Sequence, residues 1–494
     1  MEDEARRQGF SDARVETEPV PRAAGRVEDL RFAVHEGHRF TVRFLNVAGN
    51  VLTKDKVVLR EFTVAPGDPL DSSAVEKSVR RVLDLQYFTS VVPVHSETDD
   101  PDRKGVEIRV EENPRTSSLQ LGFGVSSDTG LFGRLAVTFR NFDIADFPER
   151  FSDFGEGRAF KGAGQTLQIA LQPGTDVSTY ELGFSEPWFM DRHLLVGFDL
   201  YAFDSSVQVY DESKTGVKVF LERSWLLPGD ELDDQWSVGL TPRIESYRLS
   251  GVGVDAPPNA YAIEGQNGIH ALSLDVTWLH LDQVHATERG WSAGYTSELG
   301  GSFLGGDFDY WKNSLDAARV FTLFRDSDER AHTLKFRAGL GVAMPMEDGE
   351  HVPLPERFFA GGGMGFGAVR GFDYTGLGPH GVGDPSKDPV QVRRSIAENV
   401  GAPMGGDAIG VGSVEYGFPL WSDVIRGALF TDAGNVGFNT GDLRSDWRTS
   451  AGFGILIKIP FLGAAPLRFD FGWPIHRVPG DDTLVLSFNF TKYF

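Results

Sequence analysis

The sequence predicts a mainly β protein, in which a small domain of order β-α-α-β-β precedes a transmembrane antiparallel β-barrel of about 16 strands. First, apolar residues alternate with glycine, polar and charged residues from residue 115 to the end. Second, several alternating segments extend over about ten residues, the length that a tilted membrane strand requires. Third, Trp and Phe recur near the ends of predicted strands, as in the aromatic girdles of membrane barrels. Because a soluble β-sandwich also alternates, the barrel prediction depends on all three observations together.

The composition of the 494 residues narrows the possible function classes. The formal net charge of −23 argues against a nucleic-acid partner, because a chain that neutralises phosphates needs a clustered positive excess. The absence of cysteine excludes disulfides, thiolate metal sites and a cysteine nucleophile. Mean hydropathy is −0.22 and no run of about 18 uncharged apolar residues occurs, so no transmembrane helix is predicted. A barrel is compatible with this value because its lipid-facing residues alternate with polar ones.

Residues 1–36 predict two short strands, at 13–18 and 27–35, separated by Pro19, Pro21 and Gly25. Because two strands alone are only marginally stable, we interpret this segment as the remnant of a preceding domain. The opening MEDEARRQGF has no apolar core segment of a secretory signal. We therefore expect an N-terminally truncated chain.

Residues 37–113 predict the small β-α-α-β-β domain. Thr53 is a candidate N-cap for its first helix, and Asp71 or Ser72 for its second. The second helix carries one apolar face, formed by Val75, Val79, Val82 and Leu83. The strands are predicted at 39–48, 89–96 and 105–111. An open-edged sheet of this kind is a natural docking surface, and a spacer without a binding role fits the residues equally well.

Residues 115–494 are assigned to the barrel, with a long loop at 346–406. Charged residues stand opposite the apolar set in several strands, which fits a polar lumen better than a dry core. The loop is rich in glycine but also carries aromatic and apolar residues, so we expect it to be folded rather than disordered. The predicted strands begin near residues 117, 131, 164, 177, 193, 214, 234, 270, 290, 314, 331, 407, 423, 449, 466 and 483.

Within the long loop, Arg370 follows a glycine-rich run and is a cation that needs carboxylates if it lies in a partly dehydrated lumen. Glu415 is a candidate partner, because it is opposite in parity to Val414 and Tyr416 and so faces inward. Asp432, on the next predicted strand, is a second candidate. The spacing alone leaves open a solvated Arg370 and ordinary lumen charges.

No motif indicates a cofactor, a metal site or an enzyme. The segment 363–368 fits G-x-G-x-x-A, but no βαβ unit surrounds it. His280 and His285 are five residues apart on a predicted strand and so face opposite sides. The adjacent acids Asp233-Asp234 and Asp481-Asp482 are expected to be solvated turns. We therefore predict no catalytic residue, no metal and no cofactor.

Several motifs resemble one family. Residues 37–113 are similar to a POTRA domain, with Phe40-Thr-Val-Arg43 and Val47-Ala-Gly-Asn50 at its recurrent positions. Val369-Arg-Gly-Phe372 resembles the V-R-G-F/Y signature of the sixth extracellular loop in barrel-assembly proteins of the BamA family. Further similarities follow in the family's order, at 180–189, 357–362, 376–379, 405–408, 415–418 and 432–434. This sequence has one complete POTRA-like domain where the family usually has several.

The resemblance implies a bacterial outer-membrane protein with its POTRA-like domain in the periplasm. It implies a loop clasp in which Arg370 contacts Glu415 and Asp432, with Val369, Gly371 and Phe372 completing the motif. It also implies a lateral seam between the first and last strands. The seam residues that we single out are Gly122, Gly124, Phe488, Phe490 and Phe494.

The function implied by the resemblance is that of an insertase subunit that folds and inserts β-barrel proteins through this seam. The two glycines lower the strand propensity of the first strand and so permit a weak edge. Expected partners are unfolded outer-membrane β-barrel clients, periplasmic accessory lipoproteins and outer-membrane lipid. The alternative is a polypeptide-exporting transporter of the same superfamily or a passive pore.

Overall fold

The computed structural model describes residues 8–10, 13–21, 28–126, 130–155, 157–206, 209–227, 234–282, 287–346, 352–422, 424–457 and 467–490. The chain divides into two compact units. The first comprises Met1–Leu119 with Val137–Leu167, and the second Gln120–Ala136 with Gln168–Phe494. No helix in the described part of the chain is both long and apolar enough to cross a membrane.

The first unit begins with a two-stranded antiparallel sheet of β1 (Arg14–Pro21) and β2 (Glu28–His35). The prediction that Pro19 and Pro21 separate the two strands was wrong, because β1 continues through both prolines. Both strands are edges of this sheet, and an edge strand tolerates residues that lack a backbone N–H donor.

The small domain has the predicted element order. Its elements are β3 (Thr41–Ala48), α1 (Asp55–Leu59), α2 (Ser72–Asp84), β4 (Phe88–Glu97) and β5 (Arg103–Glu112). The sheet order is β3-β5-β4, with β3 parallel and β4 antiparallel to the central strand. Both helices pack on this sheet around a core that includes Val42, Val58, Val82 and Ile108.

Two details of the small domain differ from the prediction. Asp71 caps α2 by accepting a hydrogen bond from the Ala74 amide at 3.0 Å, as expected. Thr53 does not cap α1, whose N-cap is Lys54. The buried Thr53 instead accepts a hydrogen bond from Asn141, which lies in the same unit. Leu83 is exposed rather than part of the apolar face, which contacts the core through Val75, Val79 and Val82.

Residues 137–167 of the first unit include the ends of two long strands, which contact the small domain through buried polar groups. The Asn141 side-chain amide donates to the Thr53 hydroxyl at 2.8 Å and accepts from the Gly164 amide at 3.0 Å. The Glu112 carboxylate accepts the Leu52 and Thr53 backbone amides. These contacts fix the loop that follows β3 by specific hydrogen bonds.

A single antiparallel sheet of 16 strands dominates the chain and confirms the predicted mainly β fold with about 16 barrel strands. Its strands follow one another in chain order, with β6 and β23 at the two edges. They are β6 (Ser117–Ser126), β7 (Gly130–Phe142), β8 (Lys161–Gln172), β9 (Val177–Glu186), β10 (Leu195–Ser205), β11 (Asp211–Leu227), β12 (Asp234–Ser250), β13 (Gly265–Leu281), β14 (Gly290–Gly300), β15 (Tyr310–Arg325), β16 (Ala331–Pro345), β19 (Ala408–Trp421), β20 (Ile425–Gly437), β21 (Arg448–Ile457), β22 (Leu467–His476) and β23 (Leu486–Phe490).

Short elements occupy the connections between these strands. Helices α3 (Ser152–Gly155) and α4 (Pro258–Tyr261) lie in two of them, and 3-10 turns in three others, at Phe189–Asp191, Ser302–Leu304 and Thr440–Arg444. The long loop, which joins β16 to β19, contains a 3-10 turn (Leu354–Glu356), the two-residue strands β17 (His380–Gly381) and β18 (Ala402–Pro403), and α5 (Pro389–Glu398).

The long loop is folded, as predicted, and its base is closed by two reciprocal hydrogen bonds. Phe358 and Gly406 exchange backbone N–H and C=O groups at 2.9 Å in both directions. Val369, Phe372 and Leu377 belong to a continuous apolar core shared with strand residues such as Ile409. The loop is therefore packed against the strands and does not extend freely into solvent.

Candidate functional site

The V-R-G-F segment of the long loop places one charged residue between two buried apolar ones. Val369 and Phe372 are fully buried, and both lie in the apolar core. Gly434 makes room for Val369, because a Cβ on this glycine would lie 2.6 Å from the valine Cγ2. Gly371 adopts φ 96°, a left-handed conformation that favours glycine. Anchored on both sides, Arg370 projects toward the polar face of the sheet.

Arg370 binds Asp432 of β20 in a bidentate arrangement. Its Nε donates to Oδ2 and one terminal nitrogen to Oδ1, both at 2.7 Å. The backbone amide of Arg370 also donates to Oδ2, at 3.0 Å. Ser413 completes the carboxylate's partners by donating to Oδ1 at 2.6 Å. Two hydrogen bonds to one carboxylate fix both the position and the orientation of the guanidinium group. Asp432 therefore holds this part of the loop in place.

Glu415 of β19 is shared between two arginines. It accepts from the other terminal nitrogen of Arg370 at 2.5 Å and from Arg468 of β22 at 2.6 Å. Arg468 in turn makes a bidentate pair with Asp470, at 2.6 and 2.9 Å. The structure therefore brings together Arg370, Glu415 and Asp432, the three charged residues of the predicted clasp, and adds Arg468 and Asp470 to them. We call this group of five residues the loop clasp.

Burial makes the loop clasp sensitive to the loss of any partner. Arg370 is 7% exposed, and Asp432 and Asp470 are 3% and 1% exposed. Two guanidinium groups face three carboxylates, and Lys335 lies directly opposite Glu415 on β16. The Phe430 ring lies 3.5 Å from the Arg370 guanidinium and adds a cation–π contact. An uncompensated charge in such a site is costly, so removing one member of the network should destabilise this part of the loop.

A second buried carboxylate ties the beginning of the long loop to other strands. Glu356 is 4% exposed and accepts from Arg243 of β12 at 2.7 Å and from Lys312 of β15 at 3.3 Å. The same Arg243 nitrogen also donates to Glu298 of β14 at 2.9 Å. We call Glu356, Arg243 and Lys312 the second anchor.

Sequence reasoning missed the second anchor. Period two places Arg243 and Lys312 on the polar face of their strands, but nothing local links either residue to a carboxylate more than forty positions away. The sequence feature that could have indicated this anchor is the position of Glu356, directly before the Arg357-Phe-Phe-Ala-Gly-Gly362 motif.

The predicted seam residues lie on the two edge strands of the sheet. Gly122 and Gly124 are in β6, and Phe488 and Phe490 are in β23, whereas Phe494 lies outside the described residues. Phe488 packs on Phe469 of the neighbouring strand, with 4.6 Å between ring centroids. Within the described residues, β23 pairs with β22 and no pairing joins it to β6.

Other candidate positions resolve differently. The described residues contain no group of three or more histidines and acids arranged to hold a metal. His280 donates to or accepts from Asp234 at 2.8 Å, while His285 and Asp233 lie outside the described residues. The prediction that Asp481 is a solvated turn residue was wrong. This carboxylate is buried and pairs with Arg448, because its turn packs against β21.

Comparison with known proteins identifies matching families. Residues 160–494 match the Omp85 superfamily domain, and residues 40–113 match the POTRA family, described as a surface antigen variable number repeat. The outer membrane protein assembly factor BamA of Neorickettsia risticii is 26% identical over 96% of this chain. This chain spans 58% of that relative's length.

Two solved structures share the fold. The crystal structure of BamA from Haemophilus ducreyi lacking POTRA domains 1–3 aligns with a TM-score of 0.71 at 21% identity, covering 99% of this chain and 91% of that one. CdiB from Acinetobacter baumannii aligns with a TM-score of 0.56 at 12% identity, covering 98% and 78%. At these identities the likeness concerns the fold alone.

Proposed function

We propose that this chain, which belongs to the Omp85 superfamily, folds and inserts β-barrel proteins into the outer membrane through a seam between the first and last strands of its own barrel. Superfamily membership confirms the resemblance to BamA-family proteins on which the proposal is based. The chain is an outer-membrane β-barrel protein with its POTRA domain in the periplasm.

The observation that carries the proposal is the state of the two edge strands. Every other strand of the 16-stranded sheet has two partners, whereas β6 and β23 each have one within the described residues. The last strand pairs with β22 over five residues, from Leu486 to Phe490. Free N–H and C=O groups along an edge are what an incoming client strand needs for pairing.

The partners in this proposal follow from its mechanism. An unfolded β-barrel client supplies the strand that adds to the free edge, and outer-membrane lipid receives the product. Periplasmic accessory lipoproteins would dock on the small domain, whose strands β3 and β4 are sheet edges. The proposal assigns no enzymatic activity and no cofactor to the chain.

A crosslink across the seam tests the proposal, and the absence of native cysteine makes it clean. One cysteine replaces an exposed residue of β6, such as Leu121, and the other replaces Phe488. Oxidation should stop insertion of a β-barrel client into lipid vesicles, and reduction should restore it. The matched control pairs Phe469→Cys with Phe488→Cys, which are register partners on β22 and β23 and leave the seam open. Equal insertion in the oxidised and reduced seam variant would refute the seam.

The alternative is polypeptide export through the lumen, or a passive pore. Two separate groups of strands hold the long loop by buried ion pairs, which argues against a permanently open pore. Conductance of the chain with its long loop deleted, compared with client insertion by the intact chain, separates the alternatives. High conductance of the intact chain together with no insertion would favour the pore.

A further inference from the structure

The turn that leads into the last strand is hydrogen-bonded to the long loop. The Asp373 amide donates to the Asp482 carbonyl at 3.0 Å, and the Asp482 amide donates to the Gly376 carbonyl at 2.8 Å. The Leu484 amide donates to the Gly371 carbonyl at 3.3 Å. We call these contacts between residues 371–376 and 482–484 the latch.

Two glycines allow the backbones to approach this closely. A Cβ on Gly376 would lie 2.7 Å from the Asp482 carbonyl oxygen, closer than a real side chain is found. A Cβ on Gly472 of β22 would lie 2.7 Å from the Gly371 nitrogen. The loop therefore lies directly on the backbone of the penultimate strand and on the turn after it. Larger residues at either position would push the segments apart.

Further contacts support the same turn from other directions. Asp481 is buried and accepts from Arg448 of β21 at 2.9 Å. The Asn399 side chain, at the end of α5, donates to the Pro479 carbonyl at 2.9 Å. The turn is thus held by the long loop on both sides of α5 and by one strand.

The position of the latch matters because β23 has few partners of its own. Its register pairing with β22 begins at Leu486. One residue earlier in the chain, the Val485 carbonyl accepts a hydrogen bond from the Gly472 amide of β22 at 2.8 Å. One residue earlier still, the Leu484 amide donates to the Gly371 carbonyl of the long loop instead of to β22. At this end of the last strand, the long loop thus supplies the backbone hydrogen-bond acceptor that a neighbouring strand supplies elsewhere in the sheet.

We infer that the long loop positions the loop-side end of the last strand through the latch, and that the loop clasp keeps the latch in place. Gly371, a latch residue, directly follows Arg370, so displacement of this arginine moves the latch with it. The consequence for the seam rests on the proposed function: releasing the latch would free one end of the strand to which a client pairs. Gly376 and Asp482 are positioning residues in this inference.

Hydrogen–deuterium exchange of the folded chain in lipid nanodiscs tests the latch without any client. Asp482→Pro removes the amide that donates to Gly376, whereas the control Asp482→Ala keeps that amide and removes the carboxylate. Gly376→Ala separates the same segments from the other side. Both Asp482→Pro and Gly376→Ala should speed exchange of the Leu484 amide about tenfold, while Asp482→Ala should not.

Exchange of the β10–β12 amides should stay at the wild-type rate in all three variants, which shows that the barrel remains folded. Leu484 exchange within about twofold of wild type in both Asp482→Pro and Gly376→Ala would overturn the inference. Because no client is present, this outcome is distinct from a failure of the proposed function. Fast Leu484 exchange with unchanged client insertion would leave the latch standing and count against the seam.

Discussion

Replacing Arg370 by alanine should destabilise the barrel by removing the cation through which the long loop binds Glu415 of β19 and Asp432 of β20. The substitution leaves Asp432 buried with only Ser413 as a remaining side-chain partner. Glu415 is less affected, because it keeps Arg468. Breaking a buried ion pair by removing one partner costs about 3–5 kcal/mol, so we expect a loss of this size in the free energy of unfolding.

The measurement is urea unfolding of the chain in lipid vesicles, monitored by tryptophan fluorescence. The fraction of folded protein is also measured by comparing the gel mobility of unheated and heated samples. Arg370→Lys should lose less, about 1–3 kcal/mol, because lysine keeps the charge but cannot bind Asp432 with two nitrogens. The matched control is Arg394→Ala in the same loop, whose pair with Glu398 lies on the exposed face of α5. This control should leave the unfolding free energy unchanged.

A double-mutant cycle shows whether the loss comes from the unpaired carboxylate. Asp432→Asn in the Arg370→Ala background removes the buried charge that has lost its partner. The double variant should therefore be more stable than the sum of the two single losses predicts, by about 2 kcal/mol. A loss under about 1 kcal/mol for Arg370→Ala, the range of exposed ion pairs, would refute the reasoning.

Two further predictions concern the other buried polar contacts. Glu356→Gln should lower the unfolding free energy by about 1–3 kcal/mol and speed proteolytic cleavage of the long loop, because Glu356 is buried and paired. Glu264→Gln, a control at an exposed position, should do neither. Equal cleavage rates in the two variants would show that Glu356 does not anchor the loop. Asn141→Ala should speed exchange of the Gly164 amide about tenfold, because it removes the side-chain carbonyl that accepts this N–H. Asn141 has a positive φ of 57°, which glycine adopts without strain. The Asn141→Gly variant therefore removes the hydrogen bond without adding the backbone strain that alanine would add. An exchange rate at the wild-type level in both variants would contradict the prediction.

Local periodicity predicted the barrel strands well because membrane strands alternate under a physical constraint. Each strand must present apolar residues to lipid at every second position, and the parity of one residue then determines the facing of its neighbours. Glu415 shows this: its parity against Val414 predicted that it faces inward, and its carboxylate binds Arg370 and Arg468, whereas Val414 is exposed. The strand β19 was predicted to start near 407 and starts at Ala408.

Contacts between distant segments were predicted only where a family motif supplied them. Asp481 was misread because two adjacent acids in a turn usually remain solvated, whereas here Arg448 of another strand reaches the turn and buries one of them. Thr53 was misread because its N-cap signature is local, while its actual partner, Asn141, is 88 positions away. Such pairings depend on the tertiary arrangement, which no local pattern encodes.

The three contacts of the long loop follow one another along the chain, and their order makes their effects separable. The second anchor at Glu356 precedes the loop clasp at Arg370, and the latch follows it at residues 371–376. Between the anchor and the clasp, the apolar core and the closure between Phe358 and Gly406 hold the loop independently. Loss of Glu356 should therefore loosen the first part of the loop and leave the latch intact, whereas loss of Arg370 acts on the adjoining latch directly. If both substitutions released the last strand equally, the loop would move as one rigid body and the clasp would have no special role in positioning that strand.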